Sequence, residues 1–270
     1  MSRTVAGAPH HDGVFRKVLT LMLIGAVAVT GLVASGSGRG AAAETAVVDV
    51  LFVGNSLIGT RTITGEDTPD VVRRMARERG VTIRVTKAIR YGSNLQKSWD
   101  LGLSRRPLTQ GRRYDFILLQ EFSVLVATDP GRVRRTLLNT YAPALAKSLK
   151  PGGRVILFKN WALVNPKPFA SRKANVAAID ANYERIAKAM PLPVVLAPVS
   201  DGFETVVAQQ GTTSLIVKDG KHPTAQAIYL DAAILYGMFL NRSPRDAPRL
   251  YLPARTARSL RDVAAKSLGY

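Results

Sequence analysis

From residue 47 onward the sequence alternates short runs rich in β-branched residues with longer segments of helical period. This alternation is typical of βαβ units, in which parallel strands are joined by crossover helices. We therefore expect an α/β fold with a mostly parallel sheet. Residues 44–270 show no internal repeat and no boundary, so they are expected to form one domain. The chain's 46% hydrophobic content suits a large buried core.

The individual runs predict where the strands and helices lie. Five strands are expected near residues 47–53, 81–87, 114–120, 153–159 and 193–197. Helices are expected near residues 68–79, 94–103, 131–149, 171–189, 223–240 and 254–268. Residues 198–221 contain three glycines and no clear period, so a long loop is expected there. Loops of this length in compact domains are often functional.

The first 43 residues differ in composition from the rest. Arg16 and Lys17 precede an uncharged stretch over residues 18–34, and small residues follow up to Ala43. This order is typical of a secretory signal peptide with an A-x-A cleavage site. The apolar stretch also approaches the roughly 20 residues that span a bilayer, so an uncleaved N-terminal membrane anchor is the alternative. In both cases residues 44–270 are expected to be secreted or to lie outside the cytoplasmic membrane.

Charge and cysteine content limit the classes of partner. The chain has a net charge of +19, and residues 44–270 keep 34 basic and 18 acidic residues, a net charge of +16. Such a field attracts polyanions, which outside a cell are anionic envelope polymers or lipid headgroups more readily than nucleic acid. Few aromatic residues lie between the scattered arginines, so no specific nucleic-acid platform is expected. The chain has no cysteine, which excludes disulfides and a cysteine nucleophile.

A serine and a histidine supply the elements of a nucleophilic site. Ser56 follows the first apolar run, at the carboxyl end of a strand, where ligands bind in open parallel sheets. His222 is the only histidine after residue 43 and lies three residues beyond Asp219, so that carboxylate can orient the imidazole. Each motif alone also fits an ordinary turn or the start of a helix. Together they favour a Ser56, His222 and Asp219 triad.

The order of three motifs resembles the SGNH/GDSL hydrolases. Gly-Asn-Ser-Leu at residues 54–57 is similar to the family's Gly-Asp-Ser-Leu block, Gly92 lies in Tyr-Gly-Ser-Asn, and Asp-Gly-Lys-His-Pro occupies residues 219–223. The last motif is the most specific, and the resemblance extends from Val47 to about Leu240.

This resemblance implies both a fold and a set of roles. The fold is a flavodoxin-like three-layer α/β/α sandwich with a five-stranded, mostly parallel sheet. Ser56 is then the nucleophile, His222 the general base and Asp219 the residue that orients it. The backbone amides of Ser56 and Gly92 are implied to be oxyanion-hole donors.

The third sequence block departs from the family pattern. The family usually has Gly-x-Asn-Asp, whose asparagine side chain donates to the oxyanion, whereas this chain has Leu-Leu-Gln-Glu-Phe-Ser at residues 118–123. It is more similar to a divergent branch of the superfamily with a Leu-Gln-Glu motif. We prefer the register that puts Gln120 at the strand end, with its side-chain amide as the third donor. Strict block alignment instead puts Phe122 at the asparagine position.

Several other residues are candidates for roles near the site. Asn94 is expected either to point towards the pocket or to cap a helix. Trp161 is expected either to line an acyl or sugar subsite or to pack against the sheet. Glu121 is expected to pair with an arginine or to act as a hydrogen-bond acceptor close to the site. One histidine and scattered carboxylates give no metal-ligand spacing, and no phosphate-binding loop is present, so no metal or cofactor is expected.

These observations predict an exported serine esterase. It is expected to hydrolyse acyl or acetyl esters of small molecules, carbohydrates (glycans) or lipids through an acyl-enzyme on Ser56. An acyltransferase with the same triad is one alternative, because the pocket rather than the triad selects the acceptor. A catalytically idle cell-surface module that binds polyanions is the other.

Overall fold

The core of the molecule is one sheet of five parallel strands in the order β2-β1-β3-β4-β5. The computed structural model describes residues 47–270, apart from the side chain of Ser123. The strands are β1 (Val47–Gly54), β2 (Thr82–Ile89), β3 (Tyr114–Leu119), β4 (Leu149–Phe158) and β5 (Val194–Ala197). The predicted α/β class and five-stranded parallel sheet are confirmed.

Helices connect successive strands. The α-helices of the described residues are α1 (Ser56–Gly59), α2 (Thr68–Arg77), α3 (Leu95–Asp100), α4 (Arg105–Thr109), α5 (Ser123–Thr128), α6 (Pro130–Arg135), α7 (Ala142–Ser148), α8 (Arg172–Ala189), α9 (Val199–Gln210), α10 (Ala225–Leu240) and α11 (Ala254–Ser267). A π-helix (Thr136–Tyr141) separates α6 from α7, so the single helix predicted over residues 131–149 is divided. Short 3₁₀ helices cover Thr212–Ser214 and Pro244–Asp246.

The helices form a layer on each face of the sheet. Side chains of β1 alternate between these layers, as the two-residue period of a strand requires. Val50 and Phe52 pack with α2, α9, α10 and α11, whereas Leu51 and Val53 pack with residues of α3 to α8. The result is a three-layer α/β/α sandwich with a core on each side of the sheet.

Helix α10 lies inside the first of these layers. Thr224 caps its start by accepting a hydrogen bond from the amide of Ala227, and Asn241 ends it in the left-handed conformation with φ 49°. The helix contacts α2, α9 and α11 and is buried on almost every side. Asp231 lies within this apolar surrounding with 0% exposure. Among the described residues, neither of its carboxyl oxygens has a hydrogen-bond partner.

The prediction of a long loop over residues 198–221 is wrong for the first half of that range. Residues Val199–Gln210 form α9, with Val199, Phe203 and Val206 buried against the core. Gly202 looks like a helix breaker in the sequence, but here it permits close packing of α9 on α10, since a Cβ at this position would lie 3.2 Å from Ile234 Cδ1. The helix ends at Gly211, which has φ 76°. The remaining loop is therefore short and leads directly to His222.

The predicted signal peptide or anchor over residues 1–43 lies outside the described residues. Over residues 47–270, none of the helices combines the length and the apolar character needed to cross a bilayer.

Candidate active site

Ser56 lies where β1 ends and α1 begins. Asn55 caps α1, because its side-chain oxygen accepts a hydrogen bond from the amide of Leu57 at 3.1 Å. This cap stops the strand abruptly and leaves Ser56 partly exposed as the first residue of the helix. Gly54 is required just before it, since a Cβ there would lie 2.7 Å from Gln120 Oε1 and 2.6 Å from Ile58 Cδ1. The sequence therefore fixes a tight turn that presents the serine at the sheet edge.

The structure places the side chains of Ser56, His222 and Asp219 next to one another. Ser56 Oγ lies 2.8 Å from His222 Nε2, although 166 residues separate the two in the chain. His222 Nδ1 lies 2.5 Å from Asp219 Oδ2. An ionised carboxylate only accepts hydrogen bonds, so Nδ1 carries the proton and Nε2 is free to accept from the serine hydroxyl.

Asp219 is held in its ionised form. Partial burial acts to raise its pKa, but hydrogen bonds from the His222 side chain and from the amides of His222 and Lys221 outweigh it and lower the pKa to about 2. Its Oδ1 accepts the Lys221 amide at 2.9 Å and the His222 amide at 3.0 Å. The carboxylate therefore stays charged across the neutral and mildly acidic range. It also closes the turn that aims the imidazole.

The loop that carries Asp219 and His222 is attached to the segment after β4. The Val164 amide donates to Gly220 O at 2.9 Å, and Trp161 Nε1 donates to Lys221 O at 3.1 Å. Trp161 is 0% exposed and stacks on Phe203 with ring centroids 4.1 Å apart. Its predicted role in lining an acyl or sugar subsite is therefore wrong, because no face of the ring is open. Trp161 instead supports the loop that holds the base.

A second turn lies next to Ser56 and contains Gly92, which has φ 65°. Ser93 N donates to Arg90 O at 3.3 Å to close this turn. Two bonds join it to the serine turn: Arg90 N to Gly54 O at 3.0 Å and Asn55 Nδ2 to Ser93 O at 3.0 Å.

The amides of Ser56 and Gly92 have no acceptor within residues 47–270. They are therefore available to a ligand at this edge, as the predicted oxyanion-hole roles require.

The predicted third donor, Gln120, is fully committed to other protein atoms. Its Oε1 accepts the Asn55 amide at 2.8 Å. Its Nε2 donates to Glu121 O and, at 3.3 Å, to Asn160 Oδ1. Because both amide hydrogens have acceptors and the residue is buried, the prediction that Gln120 donates to the oxyanion is wrong in this arrangement. Gln120 instead fixes the backbone of the residue before the serine.

Asn94 caps a helix beside the site. Its side-chain oxygen accepts the amide of Lys97 at 2.8 Å and so caps the first turn of α3. Of the two roles predicted from the sequence, the structure thus shows the cap.

Glu121 is buried beneath the same edge, with 4% exposure. Its Oε1 accepts the amide of Leu95 at 3.1 Å and the amide of Phe122 at 2.6 Å. Burial is the largest influence on this carboxyl and raises its pKa to about 7, against the opposing effect of the two amides. Its hydrogen-bond partners are therefore two backbone amides and not the arginine that the sequence suggested. Sequence reasoning singled out the residue but missed the segment that it binds.

Solved structures share this architecture, whereas no protein-family model and no curated protein matches the chain. A DUF4886 family protein from Bacteroides uniformis superposes with a TM-score of 0.69 at 12% identity, covering 83% of this chain and 96% of that one. A proposed SGNH hydrolase from Slackia heliotrinireducens gives 0.56 at 20% identity, covering 72% and 100%. The acetylxylan esterase Axe2 from Geobacillus stearothermophilus gives 0.51 at 15% identity, covering 70% and 93%. The chain has the fold of the SGNH/GDSL hydrolases.

Within the part of the chain that the structure describes, no group of three or more histidine, aspartate or glutamate side chains is placed to hold a metal ion. The chemistry available at the edge is that of a hydroxyl, an imidazole, a carboxylate and two free amides. These groups suit nucleophilic attack on an acyl carbon.

Proposed function

We propose that this protein hydrolyses esters, with Ser56 as nucleophile, His222 as general base and Asp219 as the residue that orients it. The observation that carries this proposal is the continuous hydrogen-bond chain from Ser56 Oγ through both ring nitrogens of His222 to Asp219 Oδ2. Serine hydrolases on unrelated folds use this same arrangement. The SGNH/GDSL fold supports the proposal as an analogy.

The reaction follows from the positions of these groups. Ser56 Oγ attacks the ester carbonyl carbon while its proton passes to His222 Nε2, and Asp219 stabilises the imidazolium that forms. The carbonyl oxygen becomes negatively charged and is stabilised by the amides of Ser56 and Gly92. When the tetrahedral intermediate collapses, the C–O bond to the alcohol breaks and the alcohol leaves with the proton from Nε2. Water then repeats the sequence on the acyl-enzyme and releases the acid.

The residues around the triad favour an acyl substrate with apolar parts. Four of the eight exposed large apolar residues in the described part of the chain lie on loops that meet at the site. They are Tyr91, 58% exposed, Phe122, 38%, Val164, 42%, and Val217, 40%. Tyr91 precedes Gly92, the Val164 amide bonds Gly220 O, and the Val217 amide bonds His222 O. Exposed apolar residues grouped in this way commonly mark ligand sites.

We propose acyl or acetyl esters of carbohydrates or lipids as the substrate class. The likeness to an acetylxylan esterase supports the carbohydrate ester. The signal-like N-terminus and the +16 charge of residues 44–270 support an exported enzyme that works near anionic envelope polymers. Cell fractionation checks the location, and recovery of the protein in the cytoplasm contradicts it.

The central test compares wild type, Ser56→Ala and Ser259→Ala on p-nitrophenyl acetate, butyrate and octanoate. Ser259 lies in α11 and has no role at the site, so it is the matched control. We expect activity in wild type and Ser259→Ala and a loss of at least about 1000-fold in Ser56→Ala. A fluorophosphonate probe should label Ser56 in wild type and in Ser259→Ala, and it should not label Ser56→Ala. Equal activity of Ser56→Ala and wild type would overturn the proposal, and product analysis with an added alcohol distinguishes hydrolysis from acyl transfer.

A further inference from the structure

Four polar side chains form a buried layer beneath the serine turn and the Gly92 turn. Asn55, Gln120, Glu121 and Asn160 are each at most 4% exposed. Asn160 Nδ2 donates to Glu121 O at 2.7 Å, and Gln120 joins Asn160 to the Asn55 amide. We call these four residues the buried polar layer. Burying so many polar groups is unfavourable unless each is hydrogen-bonded, and here the bonds run to backbone atoms of the site loops.

Glu121 is the member of this layer that holds the segment after Gly92. Its Oε1 binds both the amide of Phe122, next to it in sequence, and the amide of Leu95, which is 26 residues away. Leu95 is the first residue of α3, three residues after Gly92. The carbonyl of Leu95 is also fixed, since Tyr141 OH donates to it at 2.8 Å. Both polar backbone atoms of Leu95 therefore have defined partners.

Two buried side chains hold the residues that come after Gly92. Asn55 Nδ2 binds Ser93 O on the side facing the nucleophile. Glu121 binds Leu95 N on the side facing away from it. Gly92 itself has φ 65°, and a Cβ on it would meet no atom within 4 Å. Its position depends on the bonds made by Arg90 before it and by Ser93 and Leu95 after it.

We propose that Glu121 is a positioning residue that keeps the Gly92 amide in the place where the ester oxyanion develops. This inference rests on the proposed ester hydrolysis. Glu121 does not touch the substrate in this scheme, and it acts through Leu95 and the turn. An amide aimed at the oxyanion contributes to the transition state much more than to substrate binding. We call the two hydrogen bonds that Glu121 Oε1 accepts from the amides of Leu95 and Phe122 the clamp. Loss of the clamp should therefore lower kcat and leave KM almost unchanged.

The clamp requires an acceptor oxygen of the right reach rather than a negative charge. Glu121→Gln keeps an Oε1 at the same distance from the backbone and removes the charge. Glu121→Asp keeps the charge and withdraws the oxygen by one methylene. Glu121→Ala removes the acceptor altogether. The proposal therefore ranks the variants by activity as glutamine above aspartate above alanine.

The experiment measures kcat and KM of the full chain on p-nitrophenyl acetate for these three variants. Ser243→Ala serves as the control, because it removes another side-chain acceptor of a backbone amide, that of Arg245, in the 3₁₀ segment after α10. We expect kcat to fall roughly 10-fold to 100-fold in Glu121→Ala, as a partial loss of one oxyanion donor. Glu121→Gln should stay within about 3-fold of wild type, and KM should change by less than about 3-fold in each variant.

Three results would overturn the inference. The first is an unchanged kcat in Glu121→Ala, and the second is Glu121→Asp more active than Glu121→Gln. The third is a loss that appears in KM alone. If Glu121→Ala does not fold, as shown by circular dichroism, the ranking of glutamine above aspartate still decides the matter. An unaffected Ser56→Ala enzyme would instead refute the ester hydrolysis, so failure of the proposed function is distinguishable from failure of the clamp.

Discussion

The carboxyl edge of the sheet and the interior of α10 each bury an acidic side chain, and they do so in different ways. At the edge, Glu121 is 4% exposed and accepts two backbone amides. In α10, Asp231 is 0% exposed, and no polar atom of the described residues bonds to it. The first carboxyl connects two loops of the candidate site. The carboxyl of Asp231 makes no hydrogen bond to another part of the described chain.

The two carboxyls differ in how far their pKa values move. Burial raises the pKa of Glu121 to about 7, and the two amides limit the rise. Burial alone raises the pKa of Asp231 well above 3.8, because nothing opposes it. A buried polar group with partners can serve to position its neighbours, whereas one without partners only reduces stability. The comparison predicts that changes at the edge affect activity, and that changes in α10 affect stability.

The largest effect is expected for His222→Ala. If His222 acts as the proposed base, its removal should lower kcat by about 10⁴-fold to 10⁶-fold, as it does in serine hydrolases with such a triad. The side chain is 26% exposed and packs outside the two cores, so the midpoint of thermal unfolding should change by less than about 2 °C. Steady-state kinetics and calorimetry measure the two quantities. A large loss of thermal stability would show that activity and stability are not separable at the edge.

Gly54→Ala is expected to lower both kcat and the stability of the fold, so at this position activity and stability are not separable. The new Cβ would meet Gln120 Oε1 and Ile58 Cδ1 at distances below 3 Å. Gln120 must then move from the Asn55 amide, which loosens the turn that carries Ser56. We expect a loss of about 1 to 3 kcal/mol in the free energy of unfolding and about a 100-fold fall in kcat. Denaturant titration and kinetics test this, and Gly131→Ala, where a Cβ would meet no atom closer than 3.5 Å, is the control for a simple glycine effect.

Asp231→Asn should increase stability without changing activity. The folded state binds the Asp231 proton more tightly than the unfolded state, so the free energy of unfolding of wild type falls as pH rises from about 3.8 towards the raised folded pKa. In Asp231→Asn the side chain does not titrate, so the free energy of unfolding does not show this fall with pH. The variant should therefore gain about 1 to 3 kcal/mol over wild type at pH 7 and little at pH 3. Urea titrations at both pH values measure the difference, and a gain of equal size at both would contradict a titrating Asp231.

Trp161→Phe is expected to have the smallest effect. Phenylalanine keeps the stacking on Phe203 but loses the hydrogen bond to Lys221 O. One such bond contributes about 1 kcal/mol to stability. The loop remains attached through the Val164 amide, so kcat should fall by less than about 10-fold. A larger fall would contradict this expectation and show that the bond to Lys221 O is needed to position His222.

The sequence predicts the sheet and the three residues brought together at its edge because both depend on local patterns. β-Branched runs define the strands, and Ser56, Asp219 and His222 each lie beside a glycine or a helix start. The catalytic roles of these residues stay predictions.

What the sequence does not reveal depends on contacts between distant residues. Helix α9 was missed because Gly202 hides its period, and only the approach of Ile234 explains that glycine. Two of the three partners of Gln120, Asn55 and Asn160, lie 40 or more residues away from it, as does the residue on which Trp161 stacks, Phe203. No local pattern indicates such pairs.

The 166-residue separation of Ser56 from His222 has a consequence for the order in which the protein is made. The serine follows the first described strand, whereas His222 comes after the last one. A growing chain that has reached β5 already contains the serine, but it still lacks His222, whose imidazole lies beside the serine in the folded domain. Hydrolytic activity should therefore appear only when nearly the whole domain has been synthesised and α10 has packed. An incomplete chain should be harmless to esters in the compartment where it is made.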